Sequence, residues 1–168
     1  MSHPRIHRIL GVVGALAAAA VLTAAPAMAG NAHFIANLTT ASASGTDLVV
    51  QFKESGLESG SVETVQVTAH LDATYQCINN GGTNPNDPKK TTISAEVSAS
   101  GQFTAGKNGT IKGSLSVSAP AAADVLDCPN GQRATLTAVT WSDISISDLT
   151  SGAFLAVAGT FSSGSPVD

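Results

Sequence analysis

Glu63–Cys77, which reads ETVQVTAHLDATYQC, alternates strictly between apolar and polar residues. Its odd positions carry the apolar set Val65, Val67, Ala69, Leu71, Ala73, Tyr75 and Cys77. A strict two-residue alternation is typical of a β-strand with one buried face and one solvent-facing face. The stretch is about twice the usual strand length. We therefore expect it to bend or to serve as the central strand of a sheet, and to deliver Cys77 to its far end.

The rest of the chain supplies further strands and no helical periodicity. Asp47–Glu54 alternates, and so do the apolar residues of Ile93–Phe103 and Ile111–Val117, while Ala153–Phe161 reads as a closing strand. β-branched residues and serine dominate these segments, as they do in strands. The pattern predicts an all-β fold, an immunoglobulin-like β-sandwich of about seven to eight antiparallel strands with one disulfide. The antibody-type signature is absent, since the only tryptophan follows the second cysteine.

Two segments carry more detailed predictions of register. Apolar residues in Arg133–Leu149 change phase twice, which predicts β-bulges near Ala138 and Ser142 or a strand that crosses between sheets. The two strands around residue 108 form the best hairpin in the sequence. A three-residue loop Lys107–Gly109, with Gly109 left-handed, would place Phe103 opposite Gly113, where its ring can cover the missing side chain.

The remaining segments read as an additional strand and as loops. His33–Thr40 is a predicted first strand, followed by a small-residue turn over Ala41–Thr46. Ser55–Ser61 is rich in Gly and Ser and reads as a loop. The two longest loops are Ile78–Thr91 and Ala119–Gln132, where Asn, Gly and Pro favour turns over regular hydrogen bonding.

The first 29 residues read as a secretory signal peptide. Arg5 and Arg8 precede the apolar run Ile9–Ala25, and the small residues around Met28 form a signal-peptidase pattern. The rival interpretation, an uncleaved membrane anchor, usually needs a longer apolar run. We expect cleavage after Ala29, a single domain over residues 30–168, release to the extracellular space, and no membrane association after cleavage.

Charge and cysteine content narrow the possible partners. Removing Arg5 and Arg8 from the 8 basic residues leaves six against 12 acidic ones, a formal net charge of −6. Nucleic-acid binding needs the opposite sign, so we expect no nucleic-acid partner. Two cysteines in an exported chain predict a disulfide between Cys77 and Cys128, worth about 4 kcal/mol in the chain-entropy model. A zinc pair would need closer spacing.

The sequence contains no strong catalytic motif. It lacks the nucleophile elbow, the serine–lysine pair and the common zinc spacings. His70 and Asp72 share one strand face and could form a dyad with a serine, although a solvated strand face explains them equally simply. A glycosidase needs only two carboxylates, and spacing alone does not exclude a set drawn from Glu54, Glu58, Glu63 and Glu96. The chain has seven aromatic residues in all, too few to fill a core and also line a cleft that stacks on sugar rings, so we expect no enzyme.

The two long loops hold the candidate binding residues. Because the predicted disulfide joins them, we expect a polar patch where they meet, formed by Asn79, Asn80, Asn84, Asn86, Asp87, Lys89, Lys90, Asp124 and Asp127. The asparagine and aspartate oxygens of this set could also bind calcium, but the EF-hand pattern is not met and Pro85 and Pro88 interrupt the loop. Plain turn chemistry is the alternative, and we expect neither a metal nor a cofactor.

Three segments carry a resemblance to known proteins: Tyr75–Gly82, SASGQFTAGKNGTIKGSLSVS at Ser98–Ser118, and Cys128–Gln132. Together they resemble small secreted proteins of actinobacteria that have no assigned function, over about half of the secreted chain. The resemblance implies one disulfide and a β domain rich in Ser, Thr, Gly and Ala, and it implies no activity. In size and composition the chain is also similar to the apoproteins that carry enediyne antibiotics, a likeness of fold class only.

These observations favour a secreted, non-catalytic binding or cell-surface interaction protein whose partner is an unknown extracellular ligand or a cell-envelope component. A small-molecule carrier is the alternative, which a surface pocket lined by Val, Leu and Phe would favour. A hydrolase is the third possibility, which two carboxylates converging in a groove would favour.

The leader makes a direct prediction about the exported protein. N-terminal sequencing of protein recovered from the culture medium should give a first residue at or near Gly30, because the signal-peptidase pattern ends at Ala29. A sequence that begins at Met1 would contradict both the cleavage and the oxidising environment inferred from it.

Overall fold

The computed structural model of the chain describes residues 31–82, 84–86 and 88–164. Its elements in chain order are the strands and helices β1 (His33–Phe34), a 3-10 helix (Ala36–Leu38), β2 (Thr40–Ser44), β3 (Asp47–Ser55), β4 (Val62–Asn79), β5 (Lys90–Thr104), β6 (Thr110–Val117), α1 (Ala122–Val125), β7 (Gln132–Asp148), β8 (Phe154–Val157) and β9 (Phe161–Gly164). The all-β prediction is confirmed, with nine described strands where we expected seven or eight. Residues 1–29, the predicted signal peptide, lie outside the described residues.

The strands form two antiparallel sheets. In the first sheet β3 is central: β6 pairs along one side of it, while β1 and β2 pair with its two ends on the other side. The second sheet has the order β5-β4-β7, and β8 and β9 both pair with β7. The chain passes from one sheet to the other after β3, after β5 and after β6. The two sheets therefore enclose one shared core.

The long strand β4 is the centre of the second sheet, as its alternation predicted. It spans 18 residues, and the apolar series from Val65 to Cys77 is buried at every odd position. The even side chains from Thr64 to Thr74 stay on the solvent-facing side. The alternation stops at Gln76 and Ile78, which are both buried, so the end of the strand is covered on both faces.

Both predicted β-bulges are present in β7. Where β4 passes from Thr74 to Tyr75, its partner on β7 passes from Ala138 to Leu136, which leaves Thr137 unpaired. Between Thr68 and His70 the partner changes from Ser145 to Ser142, which inserts a second extra residue. Asp143 in that bulge has a φ of 48°, the left-handed conformation that non-glycine residues seldom adopt. The phase changes in the sequence therefore mark true bulges.

The predicted β5–β6 hairpin is correct at its turn and wrong in its ladder. The Gly106 amide donates to the Thr110 carbonyl at 2.9 Å, which closes the three-residue loop, and Gly109 has a φ of 64°. Beyond the turn β5 pairs with β4 and β6 pairs with β3, so the two strands belong to different sheets. The Phe103 ring nevertheless covers Gly113, because the inner faces of the two strands meet in the core.

The N-terminal segment also differs from the prediction. The expected strand His33–Thr40 is broken by the 3-10 helix, and the expected turn Ala41–Thr46 contains most of β2. β2 has no buried residue, and only Ala41 is half-buried. Backbone pairing with β3 holds this strand in place. Because β2 buries no apolar side chain, its sequence shows no apolar alternation from which a strand could be predicted.

The second long loop is part of the core. Leu126 is buried, and Ala122 and Val125 of α1 pack against the core. The Tyr75 hydroxyl donates to the Pro120 carbonyl at 2.8 Å. β4 is twice as long as β3, so the first sheet leaves part of the buried face of β4 uncovered. The loop Ala119–Gln132 covers that part. The predicted loop Ala119–Gln132 therefore contains a short helix and contributes side chains to the core.

Contacts around Gly113 make a stability prediction. A Cβ atom at this position would lie 2.4 Å from the Phe103 ring and 2.7 Å from the Phe52 ring, and these two rings already pack edge to face at 5.0 Å. Gly113→Ala should lower the free energy of unfolding by about 1–3 kcal/mol through overpacking. Gly81→Ala is the matched control, because nothing lies within 4 Å of a Cβ there. Denaturant unfolding of the two variants checks this, and equal stability would contradict the packing described.

Candidate functional site

The predicted disulfide joins the two long loops at the end of β4. Cys77 and Cys128 are bonded with a Cα–Cα distance of 5.6 Å, and no free cysteine is found among the described residues. Next to the bond, the Lys89 ammonium donates to the Asp127 carbonyl at 2.8 Å. The Cys77 amide also donates to the Lys89 carbonyl at 2.9 Å. The first loop is therefore fastened both to β4 and to the second loop.

A second set of contacts ties the loops together on the β7 side. The Asn80 amide donates to the Gly131 carbonyl at 3.1 Å, and the Arg133 guanidinium donates to the Asn80 carbonyl at 3.2 Å. The buried Gln76 side chain donates to the Asn84 side-chain oxygen. These bonds cross from one loop to the other or from a loop to a strand. The surface formed by the described residues of 79–90 and by residues 119–132, here called the loop patch, is therefore an ordered one.

The predicted binding residues differ in how they take part in the loop patch. Lys89 and Asp127 meet directly, and Asn80 contacts the second loop through its backbone. Asn79 is half-buried, and Asp87 lies outside the described residues. The other predicted members have exposed side chains: Asn84, Asn86, Lys90 and Asp124. Within the described part of the chain no group of three or more His, Cys, Asp and Glu side chains could hold a metal ion.

The His70 face lacks the arrangement of a catalytic triad. His70 Nε2 lies 3.0 Å from Ser94 Oγ and 3.7 Å from Asp72 Oδ1. Both contacts involve the same ring nitrogen, whereas a triad uses one nitrogen for the serine and the other for the carboxylate. The His70 and Asp72 side chains are 33% and 52% exposed, on the open outer face of the sheet.

A buried cluster of three carboxyl groups, Glu54, Glu63 and Asp148, lies near the opposite end of β4. Glu54 comes from the first sheet and the other two come from the second, and all three are at most 3% exposed. Asp148 lies within hydrogen-bonding reach of both glutamates. The Ser151 hydroxyl donates to Glu54 at 3.1 Å, the Ser61 hydroxyl donates to Glu63, and the Thr150 amide donates to Asp148 at 2.8 Å.

Burial favours the protonated forms of the two glutamates in the carboxyl cluster. One oxygen of each carboxyl, Glu54 Oε2, Glu63 Oε2 and Asp148 Oδ2, has no N–H or O–H donor among the described residues. Burial raises the pKa of Glu54 from 4.5 to about 8, and the neighbouring Asp148 carboxyl adds to the shift. Burial also raises the pKa of Glu63. A carboxyl–carboxyl contact becomes a hydrogen bond when one partner is protonated, so a protonated Glu54 on the first sheet can donate to Asp148 on the second.

Sequence reasoning considered Glu54 and Glu63 only as possible glycosidase carboxylates, and it missed Asp148 and the cluster. The alternation of the strands did contain a signal that two of these carboxyl groups are buried. Glu54 continues the buried series Leu48, Val50 and Phe52, and Asp148 continues Ile144 and Ile146. Glu58 and Glu96, the other two glycosidase candidates, are exposed, in the β3–β4 loop and on β5. The two glutamates that do converge are buried and line none of the clefts described below.

The largest of the described clefts lies beside the Asp143 bulge. It has a volume of about 650 Å³, and its apolar lining includes Ile144, Phe154 and Val157. Phe154 is 65% exposed, an unusual position for a large aromatic side chain. Two smaller clefts, of about 350 and 240 Å³, lie beside β2 and beside Gly113.

No family model matches this chain, and no curated protein and no solved structure matches it either. Among the described residues no helix is long and apolar enough to span a membrane.

Stability should depend on pH through Glu54. Its pKa is raised in the folded state, so its stabilising contribution is complete below about pH 4.5 and is lost as the pH rises through about 8. The free energy of unfolding should fall between pH 5 and pH 9, by a change on the order of 3–5 kcal/mol.

Glu54→Gln should remove most of this fall, because a neutral amide can accept the Ser151 bond without the cost of a buried charge. Glu58→Gln, at an exposed position, is the control and should retain the fall. Denaturant unfolding at a series of pH values measures both variants. A wild-type profile that is flat from pH 5 to 9 would contradict the raised pKa of Glu54.

Proposed function

We propose that this chain is a secreted, non-catalytic protein that binds an extracellular or cell-envelope partner through the loop patch. The observation that carries the proposal is the fastening of two long polar loops to each other by the Cys77–Cys128 bond and by the Lys89–Asp127 contact. Ordered loops on a rigid scaffold are a common place for recognition, because little conformational entropy is lost on binding. Actinobacterial origin, indicated by the resemblance, is part of this proposal.

The scaffold is proposed to be an immunoglobulin-like sandwich. Two antiparallel sheets and three passages of the chain between them support this description. The disulfide differs from the usual one of such domains, since it joins the end of β4 to the loop before β7 and does not bridge the two sheets. Its position favours a role in ordering the loop patch.

Two observations support the absence of catalysis. The converging carboxyls are buried, and Glu54 and Asp148 are at most 1% exposed, so a substrate has no path to them. His70 presents a single nitrogen to both of its neighbours on an open sheet face. A catalytic site needs reacting groups that a bound substrate can reach.

A small-molecule carrier is the second candidate, and the cleft beside Asp143 supports it. Its volume of about 650 Å³ falls within the range of ligand pockets, and its lining combines Ile144 and Val157 with the exposed ring of Phe154. The cleft lies beside β7 and β8, away from the disulfide end of β4, so variants in one site should leave the other intact.

The two candidates are separated by a capture experiment with three variants. Asn80→Ala/Asn86→Ala/Asp124→Ala alters exposed side chains of the loop patch, Phe154→Ala alters the cleft, and Ser42→Ala/Gln51→Ala/Glu58→Ala is the control on the first sheet and the β3–β4 loop. All three should unfold at nearly the wild-type temperature, because each altered side chain is exposed.

Each immobilised protein is incubated with spent culture medium and with cell-envelope extract of the source organism, and bound material is identified by mass spectrometry. The loop-patch variant should lose the wild-type partner, while the Phe154 and control variants retain it. Retention by the loop-patch variant would contradict the proposal, and loss in Phe154→Ala alone would establish the carrier function.

A further inference from the structure

β5 is a long strand with a partner on only one side. It spans 15 residues, pairs with β4 over its whole length without a register shift, and stands at the edge of the second sheet. No other described strand pairs with its free side. None of its residues is fully buried. An edge of this kind presents unpaired backbone groups to solvent.

Two hydrogen bonds just outside β5 identify which of its residues face the free side. The Cys77 amide donates to the Lys89 carbonyl, and the Ala105 amide donates to the Ser61 carbonyl, both in the same register as the β4–β5 ladder. Hydrogen-bonded pairs alternate along an antiparallel ladder, so odd-numbered residues of β5 bond to β4. The even-numbered residues direct their N–H and C=O groups outward: Lys90, Thr92, Ser94, Glu96, Ser98, Ser100, Gln102 and Thr104.

This edge lacks most of the features that normally prevent pairing with another strand. Natural edge strands are protected by charged side chains, prolines, bulges, inward-pointing charges or a covering segment. β5 contains no proline, its register is continuous, and within the described residues no strand pairs alongside its free edge. Its two charged residues, Lys90 and Glu96, are both exposed on the outer face.

We propose that β5 pairs antiparallel with β5 of a second copy of this chain, around a twofold axis at Ile93. In this register Lys90 lies opposite Glu96 of the second copy, and Glu96 lies opposite its Lys90. Thr92 faces Ser94 of the second copy between the two ion pairs. All four positions are even-numbered, so each of these pairs can exchange backbone hydrogen bonds.

The opposite charges favour a second copy over an unrelated strand. Lys90 and Glu96 are the only charged residues of β5. In this register each of them forms one ion pair with the second copy, so the dimer contains two ion pairs. The half-buried Ile93 meets its counterpart in a narrow, non-hydrogen-bonded pair, where facing side chains approach closely. A register centred on Ser98 would place Glu96 opposite Ser100 and leave both charges unpaired. The ladder is short, so the dimer should be weak and should form only at high protein concentration.

Charge reversal tests the register. Sedimentation equilibrium of the secreted form at low salt should show a monomer–dimer equilibrium. Lys90→Glu should weaken dimerisation by about tenfold or more, and so should Glu96→Lys, because each creates two like-charge contacts across the axis. An equimolar mixture of these two variants should recover the wild-type dissociation constant by forming mixed dimers. Lys107→Glu and Glu58→Lys change the net charge equally at other exposed positions and should leave dimerisation unchanged.

A proline pair tests the backbone assignment independently. Thr92→Pro removes an outward N–H and should abolish the dimer with little change in unfolding temperature, whereas Thr91→Pro removes a β4 bond and should lower that temperature. A protein that is monomeric at millimolar concentration overturns the proposal. A dimer unaffected by the Lys90 and Glu96 reversals, or by Thr92→Pro, overturns it as well.

Discussion

Burial of the odd-numbered face of β4 is the constraint on which the rest of the structure depends. Seven side chains from Val65 to Cys77 leave solvent along one strand, and burial of each larger apolar side chain contributes about 1.5–3 kcal/mol. β5 and β7 satisfy the backbone of β4 on its two sides, while the first sheet covers only part of its buried face. The two ends of this strand are therefore completed in different ways.

The chemistry of the two ends follows from what covers them. At the Cys77 end the loop containing α1 covers Tyr75, and the disulfide holds that loop in place, so a polar and ordered surface forms as a consequence of completing the core. At the other end Glu54 and Asp148 fall in the apolar phase of their strands and become buried. Burial of Glu54 is tolerated because its raised pKa keeps the carboxyl protonated and the Ser151 hydroxyl donates to it, while Asp148 accepts a hydrogen bond from the Thr150 amide. One end of β4 carries the loop patch. At the other end the protonated Glu54 carboxyl lies buried in the core.

Much of this architecture could be predicted because alternation and phase are local properties of a sequence. The β4 alternation, both bulges in β7, the turn at Gly109 and the disulfide all have local signals, and all are confirmed. Sheet membership is a non-local property, so β5 and β6 were assigned to one hairpin although they lie in different sheets. Of the candidate site, the contact of the two loops was predicted. The carboxyl cluster was missed because Asp148 is far from both glutamates in the chain and meets them only after folding.

The central claim is that the disulfide and its neighbouring contacts make the loop patch a fixed surface. Amide hydrogen exchange of the oxidised and the reduced protein tests it most directly. The Asn80 amide, bonded to Gly131, should be protected in the oxidised protein and exchange much faster after reduction, while amides at the centre of β4 stay protected in both. Rapid exchange of Asn80 with the disulfide intact would contradict the claim, because the loops would then be independent and no preformed surface would exist.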